Sequence, residues 1–576
     1  MKSGPQGKRV LLAALLGVVS CTGHIGDPLW QDRPPPEVSV NAPERRPRVT
    51  PPAPPRKPPP VDPGVCPSAT SQRARRISLG EFEGAVTDLI GVSSGLTGAV
   101  TPEPSVHGFD NQSDALSISS GNFEEFAVTA QLTAEAANVT ALAPCAADDA
   151  TEACASSFVE AFARRAFGRE LSLAEQDDLL ALYAEGAAFQ GYERGIRTVI
   201  EAVLLSPYFL YRTEVGRIRK SAPAQLDAQE VANAVAFALT GKRPDAELLA
   251  RAATDPQFRS PEVVRDEAAR LVATPASRQH MARFLRGWLG VTDLRAVNKI
   301  PAAFPRFTPT LKRELDVELD LFLDYVLREK QGSLQALLGA PVTFVSGTVL
   351  DAIYAGDYAP PLVPPATPPP GAFAQIELNP KLRKGVLSLG GWLAAHAPVH
   401  RSSPVDRGLA IRTRFFCQTL ASPPPQVIAI SPGPGDSVAT TRQKFEQHTT
   451  DPSCKNCHRY MDPIGFGLEM MDALGSFRQT EAGLPVDSHG ELTDTDVDGP
   501  FEGPAELADR LMASRQVRDC FVVQMFRYIE GRDEQPADSC EISVLKEFFA
   551  TPERTIGELA TEIVAQPRFS QRSVEP

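Results

Sequence analysis

The sequence is poor in cysteine, in strand-like alternation and in long apolar runs. After the first 21 residues, no segment is apolar enough to span a bilayer, which excludes an integral helical membrane protein. The 58 basic residues are outnumbered by 71 acidic ones, and a net charge of −13 argues against nucleic acid as a partner. The best strand pattern is "PVTFVSG" at 341–347. No nucleophile–base constellation stands out, so enzymatic activity stays an open question.

What is present begins with a predicted lipoprotein signal peptide over residues 1–21. A basic start precedes an apolar run from Val10 to Ser20, which has the length of a signal-peptide core. Small residues stand directly before Cys21, a pattern similar to the bacterial lipobox, in which the new N-terminal cysteine is acylated. We expect an exported protein, periplasmic or attached to the outer membrane, that reaches the membrane only through a lipid on Cys21. The alternative is an ordinary secretion signal with an unmodified cysteine.

Residues 22–64 are predicted to be a proline-rich linker. Bulky apolar residues are scarce there, so the segment cannot bury enough surface to fold. Proline favours an extended polyproline-II spacer, which would hold the folded body away from the lipid surface.

Helical patterns dominate the remaining chain. Capping boxes are visible at Ser78–Glu81 and at Ser172–Glu175. Apolar residues at three- and four-residue spacing predict one buried helix face over 152–167. We therefore predict a mostly α fold of several small helical domains. Similar stripes run through the segments 191–205, 228–239, 262–272, 309–328, 381–395 and 517–530.

Cysteines outside the main motif predict disulfides, because an exported protein folds in an oxidising compartment. Cys145 and Cys154 lie close together, and Cys520 and Cys540 bracket the loop after a helix. Each pair would close a short loop and stabilise the fold by about 3 kcal/mol. Elimination leaves one more pair, Cys66 with Cys417.

The most informative segment is Cys454-Lys455-Asn456-Cys457-His458, the C-x-x-C-H pattern of haem-c attachment. Two thiols one helical turn apart can add to the two vinyl groups of haem, and the adjacent histidine then coordinates the iron. The sequence therefore predicts covalent haem c at Cys454 and Cys457, with His458 as the proximal ligand.

Three other interpretations of this segment stay open. Zinc would need a fourth ligand, which Cys417 could supply, although closed zinc sites seldom place Cys and His side by side. A redox-active dithiol would need a thioredoxin-like context that the sequence lacks. A structural disulfide between Cys454 and Cys457 is the third.

The second axial ligand is not fixed by the sequence. Met461 follows His458 on the same turn and cannot reach the opposite porphyrin face. His448 ends an amphipathic stretch upstream and is the candidate distal ligand. The remaining candidates are Met470, Met471, Met512, Met525 and His489.

An acidic loop resembles the opening of a calcium-binding loop. Asp494, Asp496 and Asp498 precede Gly499 in the D-x-D-x-D-G order, but Ala505 stands where the bidentate glutamate belongs. Calcium at the three aspartates is one hypothesis, and a solvated acidic turn before a helix is the other.

With these motifs in place, the chain resembles the planctomycete-cytochrome-type family of multi-domain exported proteins, built largely from domains of unknown function. "SSPVDRGLAIRTRFFC" with "HTTDPSCKNCHRYMDPIGFGLEMMDALGSFR" is similar to the family's cytochrome-like domain. The resemblance implies haem residues at Cys454, Cys457 and His458, and it includes His448 and Asp462-Pro463 as pattern positions of unknown role. It implies no reaction. The other segments similar to family domains are "RRISLGEFEGAVTDLIG", "CASSFVEAFARRAFGRELSLAEQ" with "VLLSPYFLYRTE", "FLRGWLGVTDL" with "ELDLFLDYVL", and "FVVQMFRYIEGR".

These observations predict a domain order for the folded body. The predicted units are a small helical domain (65–140), a helical domain (141–220), a central helical domain (221–357), a cytochrome-like domain (372–490) and a C-terminal helical domain (491–573).

The expected function is one-electron transfer by an envelope-anchored monohaem cytochrome. Its partner would be an exported redox protein or another envelope protein, met through a small transient interface. The rival hypothesis is a non-redox scaffold or a lipoprotein that binds carbohydrate or another partner, in which the C-x-x-C-H segment is structural.

Overall fold

In the computed structural model, two helices begin at the capping boxes that the sequence predicts. The Ser78 hydroxyl accepts from the Glu81 N–H while the Glu81 carboxylate accepts from the Ser78 N–H, and Ser172 and Glu175 repeat this capping box. The fold is mostly α, as predicted. The structure describes residues 66, 74–92, 98, 100–147, 151–219, 222–355, 357, 368–369, 371–420, 439–450 and 452–572.

The predicted signal peptide (1–21), the lipidation position Cys21 and the linker (22–64) lie outside the described residues. Within the described part of the chain, none of the helices combines the length and apolar character needed to cross a membrane.

The N-terminal helices enclose one apolar core. Phe82 meets Phe126 and Phe209 edge to face, with ring centroids 5.4 and 5.5 Å apart. The stripe predicted over 152–167 is the buried face of a helix with these bounds. The helices are α1 (Leu79–Ile90), α2 (Ser120–Ala136), α3 (Val139–Leu142), α4 (Glu152–Phe167), α5 (Leu173–Gln190), α6 (Tyr192–Leu205) and α7 (Pro207–Leu210).

The later helices surround a second, larger core. Trp288 lies near its centre, 4.9 Å from Phe521 and 4.7 Å from Phe415 between ring centroids. These helices are α8 (Ala228–Thr240), α9 (Ala246–Thr254), α10 (Pro261–Val272), α11 (Pro275–Leu289), α12 (Pro309–Asp324), α13 (Leu334–Gly339), α14 (Gly347–Val349), α15 (Gly390–Ala395), α16 (Pro404–Ala410), α17 (Thr441–Thr450), α18 (Pro452–Phe466), α19 (Gly503–Ala513), α20 (Arg515–Glu530), α21 (Ser539–Phe548) and α22 (Ile556–Ala565).

Shorter helical turns extend or connect these elements. π-turns lengthen α12, α14 and α16 at their C-terminal ends. The π-turns are Tyr325–Glu329, Leu350–Tyr354 and Ile411–Phe415, and the 3₁₀ turns are Ser113–Ala115, Pro144–Ala147, Leu294–Ala296, Val386–Ser388, Pro536–Asp538 and Pro567–Ser570.

Among the described residues the strands are short and pair in antiparallel fashion. The strand predicted at 341–347 is confirmed as Val342–Val345, which pairs with Ala374–Glu377. Two-stranded sheets are formed by β1–β2, β5–β6, β7–β8 and β9–β10, and one three-stranded sheet has the order β11–β4–β3. The strands are β1 (Ala74–Arg76), β2 (Tyr211–Thr213), β3 (Arg217–Arg219), β4 (Ala222–Gln225), β5 (Val342–Val345), β6 (Ala374–Glu377), β7 (Thr480–Glu481), β8 (Leu484–Pro485), β9 (His489–Leu492), β10 (Gly499–Glu502) and β11 (Gln571–Arg572).

One predicted helix is much shorter than its pattern. The stripe over 381–395 becomes a 3₁₀ turn followed by α15. Gly385 has φ of 57°, and a side chain there would overlap the backbone carbonyl of Leu338. The backbone leaves the helical region at this close contact, so the helix starts only after it.

The disulfides correct part of the predicted pairing. Cys145–Cys154 is confirmed. The Cys520–Cys540 and Cys66–Cys417 pairings are wrong, because the fold brings distant segments together in a way that loop length cannot show. The observed bonds are Cys417–Cys520 and Cys66–Cys540.

A buried ion cluster joins the beginning and the end of this body. Glu214, which is 1% exposed, accepts hydrogen bonds from Arg75, Arg212 and Arg572. Arg75 and Arg212 face each other across the β1–β2 ribbon, and Arg572 belongs to β11. Removing the Glu214 carboxylate would leave three buried guanidinium groups without their shared acceptor. This cluster therefore fixes how the two ends of the body meet.

Candidate functional site

The predicted haem residues lie together in the first two turns of α18. This helix begins at Pro452, whose missing N–H costs nothing at a helix start. Cys454 and Cys457 are one turn apart and half-buried, and the His458 side chain is 21% exposed. Two thiols and an imidazole thus share one end of one helix.

His458 is oriented by a buried carboxylate one turn further along. Its Nδ1 lies 3.0 Å from both carboxylate oxygens of Asp462, which is fully buried. Because a carboxylate only accepts hydrogen bonds, this contact places the proton on Nδ1 and makes Nε2 the nitrogen suited to a metal. Asp462 was a pattern position of unknown role in the sequence, and this contact gives it one.

Cys454 and Cys457 do not form a disulfide with each other. Cys417, the sequence-derived fourth ligand for a zinc site, is bonded to Cys520. Among the residues that the structure describes, no group of three or more His, Cys, Asp or Glu side chains is arranged to hold a metal ion. The Cys417–Cys520 bond therefore takes up the cysteine that the zinc interpretation named as its fourth ligand.

The second half of α18 is pressed against α16. A side chain at Gly408 would overlap the carbonyl of Met461, and one at Gly465 would overlap the carbonyl of Pro404. Both contacts involve backbone, so the two helices touch without side chains between them. The sequence patterns gave these glycines no role, although a glycine inside a helical pattern is itself a signal of close packing.

Two buried arginines hold the middle of this helix and the segment that follows its C-terminal end. Arg407 donates to the carbonyls of Leu468 (3.1 Å), Met471 (2.8 Å) and Asp472 (2.6 Å) just beyond α18. Arg412 Nε donates to the carbonyl of Tyr460 at 2.7 Å, within the helix. Charged donors satisfy backbone carbonyls there, so α18 is fixed from its middle to its end.

The other axial-ligand candidates are placed as follows. His448 lies on α17, which packs against α18, but its side chain is outside the described part. His489 is 71% exposed on β9 and lies 2.8 Å from Asp487, whose hydrogen bond raises the pKa of His489. The methionines Met461, Met471 and Met525 are buried, whereas Met470 and Met512 are partly buried against the larger core.

The acidic loop serves as a cap in this fold. Asp496 accepts from the Ser514 hydroxyl at 2.5 Å and from the backbone N–H groups of Arg515 and Gln516, at the start of α20. Asp498 closes its own turn by accepting from Thr495. These contacts match the solvated-turn hypothesis, and the calcium site at Asp494, Asp496 and Asp498 stays a prediction.

The residues present fit covalent haem c as a donor set. The thiols are one turn apart and the imidazole is adjacent, as the attachment chemistry requires. Metal-bound histidines ordinarily donate their other N–H to a carboxylate or carbonyl, which is the role that Asp462 takes.

Five family models match the chain, all described as proteins of unknown function. They cover most of the folded body in the order expected from the sequence resemblance. The matches are DUF1587 (75–139), DUF1595 (154–214), DUF1592 (226–354), DUF1588 (383–481) and DUF1585 (498–569).

The chain therefore belongs to the planctomycete-cytochrome type of multi-domain proteins. Its C-x-x-C-H segment lies inside the DUF1588 match, whose model carries the name PSCyt3. Searches of curated proteins and of solved structures gave no match.

Proposed function

We propose that the protein is an exported, lipid-anchored monohaem cytochrome that transfers single electrons. The observation that carries the proposal is the first two turns of α18, where two half-buried cysteines one turn apart adjoin an imidazole held by a buried carboxylate. Haem bound there would supply one-electron redox chemistry.

The chain's own residues have distinct roles in this proposal. Cys454 and Cys457 would hold the group through thioether bonds, and His458 would present Nε2 to its iron. Asp462 keeps the proton on Nδ1 and makes the imidazole a stronger donor, which favours the oxidised iron. The packing of α16 on α18 fixes this donor relative to the protein body.

The location of the protein rests on its first residues. The apolar run before Cys21 supports export, and acylation of Cys21 would tether the body to a membrane. An exported redox protein is then the natural electron partner, because electron-transfer encounters need only a small interface.

The test is covalent haem content. The full chain is expressed together with haem-attachment machinery, denatured and washed, and its visible spectrum is recorded. A haem Soret band that survives washing is expected for the wild type and should vanish in the Cys454→Ser/Cys457→Ser variant. The matched control is Cys145→Ser/Cys154→Ser, which also removes two cysteines but should keep the band.

A wild-type protein without covalent haem would overturn the cytochrome proposal. The non-redox scaffold or partner-binding lipoprotein, with a structural C-x-x-C-H segment, would then be the better description. Fractionation tests the anchor separately, since Cys21→Ala should release the protein from the membrane fraction.

A further inference from the structure

A fully buried carboxyl group lies near the boundary between the DUF1592 and DUF1588 matches. Glu318 of α12 is 0% exposed, and its Oε1 accepts from the Thr343 hydroxyl at 2.6 Å and from the Tyr354 hydroxyl. Among the described residues its other oxygen, Oε2, is buried without a hydrogen-bond partner. An ionised carboxylate costs free energy in such a place, because one of its two oxygens has lost water and gained no donor.

The hydroxyl of Tyr354 connects this carboxyl group to the next matched segment. Glu318 and Tyr354 belong to the DUF1592 match, which ends at residue 354. The same Tyr354 hydroxyl accepts from the N–H of Gly390 at 3.3 Å, and Gly390 begins α15 inside the DUF1588 match. One hydroxyl therefore links α12 of the first match to the start of a helix in the second.

A buried arginine holds the same junction. Arg383 is 0% exposed, and its guanidinium lies 4.8 Å from the centre of the Tyr354 ring. Its Nε donates to the Asp357 carboxylate at 2.6 Å. Its Nη1 donates to the carbonyl of Ser388 and its Nη2 to that of Gly475, both at 2.6 Å. Gly475 belongs to the segment 472–476 that follows α18, so this arginine ties that segment to the junction.

Two buried carboxyl groups share this one cation. Asp357 is bonded directly to Arg383, whereas Glu318 is not, so Asp357 is the group that Arg383 neutralises. The buried site is then electrically balanced only when Glu318 holds a proton. Burial raises the pKa of Glu318 to about 7, against the lowering effects of its two hydrogen bonds and of Arg383.

Other charged groups on the elements packed against α12 have partners of their own. Neither β5 nor α15 contains a charged residue, and Asp351 of the π-turn before Tyr354 is exposed. On α12 itself, Glu314 accepts from the Ser346 hydroxyl at 2.7 Å. Arg383 is therefore the cation that acts on Glu318. The neighbouring ion pairs are Arg286–Asp316, Arg286–Asp320, Arg278–Asp324, Arg328–Asp324 and Arg295–Asp293.

Loss of the proton from Glu318 changes what this junction needs. Its Oε2 then carries charge without a donor, and water is the donor that can be supplied from outside. Water reaches a fully buried atom only when β5 or the π-turn moves away from α12. Such a movement separates Tyr354 from Gly390 and weakens the contact between α12 and α15.

We propose that Glu318 is a pH-sensitive switch, which keeps the junction closed when protonated and lets it open to water when ionised. The proton passes to solvent, so the change requires no other reactant. The parts that respond are β5, α15 and the segment 472–476. The switch contains no residue of α18 and does not depend on the haem proposal.

Hydrogen exchange of the haem-free full-length chain tests the proposal. Exchange is followed by mass spectrometry from about pH 5 to 9 and corrected for the intrinsic pH dependence of amide exchange. Opening releases a proton between the ordinary pKa of 4.5 and the raised pKa of about 7. Protection of the β5 and α15 amides should therefore fall by up to about tenfold per pH unit until about pH 7 and then level off. The amides of α6, in the other core, should keep their protection.

Glu318→Gln should abolish this pH dependence, because an amide cannot ionise. The matched control is Glu314→Gln, one turn earlier on α12, which should keep the wild-type profile. Equal profiles for wild type and Glu318→Gln would overturn the proposal. A fall in protection that extends equally to α6 would also overturn it, since the proton would then govern unfolding of the whole body rather than opening of the junction.

A second variant keeps the test decisive if Glu318→Gln folds poorly. Thr343→Val removes one of the two donors to Oε1, so the charged form loses a hydrogen bond and the pKa of Glu318 rises further. The fall in protection should then continue to a higher pH than in the wild type. An unchanged end point would show that Glu318 is not the group that titrates.

Discussion

The two halves of α18 are built for different purposes. Its second half touches α16 backbone to backbone at Gly408 and Gly465, and Arg407 satisfies the carbonyls beyond its end. Its first half presents two half-buried thiols and an imidazole that is 21% exposed. A helix can thus be rigid where it packs against the body and accessible where it would hold haem. Asp462 lies where these two halves meet.

The largest effect is expected where the helices touch. Gly408→Ala places a methyl group against the carbonyl of Met461, and neither backbone can move without the other. The loss in free energy of unfolding should exceed the ~1–3 kcal/mol typical of overpacking. Urea denaturation of the haem-free protein measures it.

Gly121→Ala is the matched control, because Gly121 lies in α2 with only the Ser119 hydroxyl, 3.9 Å away, near the added methyl. It should leave stability unchanged or slightly higher. If both glycine variants lose equally little free energy of unfolding, the second half of α18 is not held by its contact with α16.

A smaller, pH-dependent effect is expected at a buried carboxyl of the body. Glu318 is fully buried and accepts from Thr343 at 2.6 Å and from Tyr354, and burial raises its pKa to about 7. The folded state therefore binds a proton that the unfolded state releases above its ordinary pKa. The stability that this proton contributes is present below pH 4.5 and is lost as the pH rises through about 7.

Glu318→Gln keeps the acceptor oxygen and removes the titration. We expect it to be stabilised relative to wild type by about 3 kcal/mol at pH 8 and to match wild type near pH 4. Parallel stability–pH curves for the two proteins would show that Glu318 does not titrate between these limits.

The next smaller effect on the free energy of unfolding is expected at Asp462, where the two halves of α18 meet. Asp462→Asn keeps the shape but weakens the bond to His458, and about 1–2 kcal/mol of unfolding free energy should be lost. In haem-loaded protein the weaker imidazole donor should raise the reduction potential, as measured by spectroelectrochemical titration.

Asp487→Asn is its control at the exposed pair with His489, where the change should stay within about 0.5 kcal/mol. A wild-type potential in Asp462→Asn would show that the carboxylate does not act on His458.

The smallest effect on stability is expected at the thiols themselves. Cys454→Ser/Cys457→Ser alters two half-buried groups at the accessible end of α18, so the haem-free protein should unfold within about 0.5 kcal/mol of wild type. Calorimetry on haem-free samples measures this. A large loss would mean that the thiols belong to the packing, and the contrast between the halves would fail.

Local features of this molecule were predictable from sequence, and long-range contacts were not. The capping boxes, the helix over 152–167 and strand β5 follow from residues within a few positions of one another. The motif spacing also placed the thiols and His458 on one helix. By contrast, Gly408 meets Met461 across more than fifty residues, and no periodicity records such a contact.

The same limit explains the disulfides. Of the two short-loop pairs that the spacing predicted, Cys145–Cys154 forms, whereas Cys520 and Cys540 bond to the distant Cys417 and Cys66. Asp462 lay in between: its position was visible in the motif, and its partner became clear from the structure.

The Cys66–Cys540 bond gives the body a mechanical property. Cys540 lies on α21, close to the end of the described chain, so the bond spans 474 residues. A pulling force applied to the chain before Cys66 is transmitted through the disulfide to α21 and its neighbour α22. It therefore does not act to separate β1 from β2. A protein held at its N-terminal side is thereby loaded at its C-terminal helices, and the helical domains between them bear little of the pull.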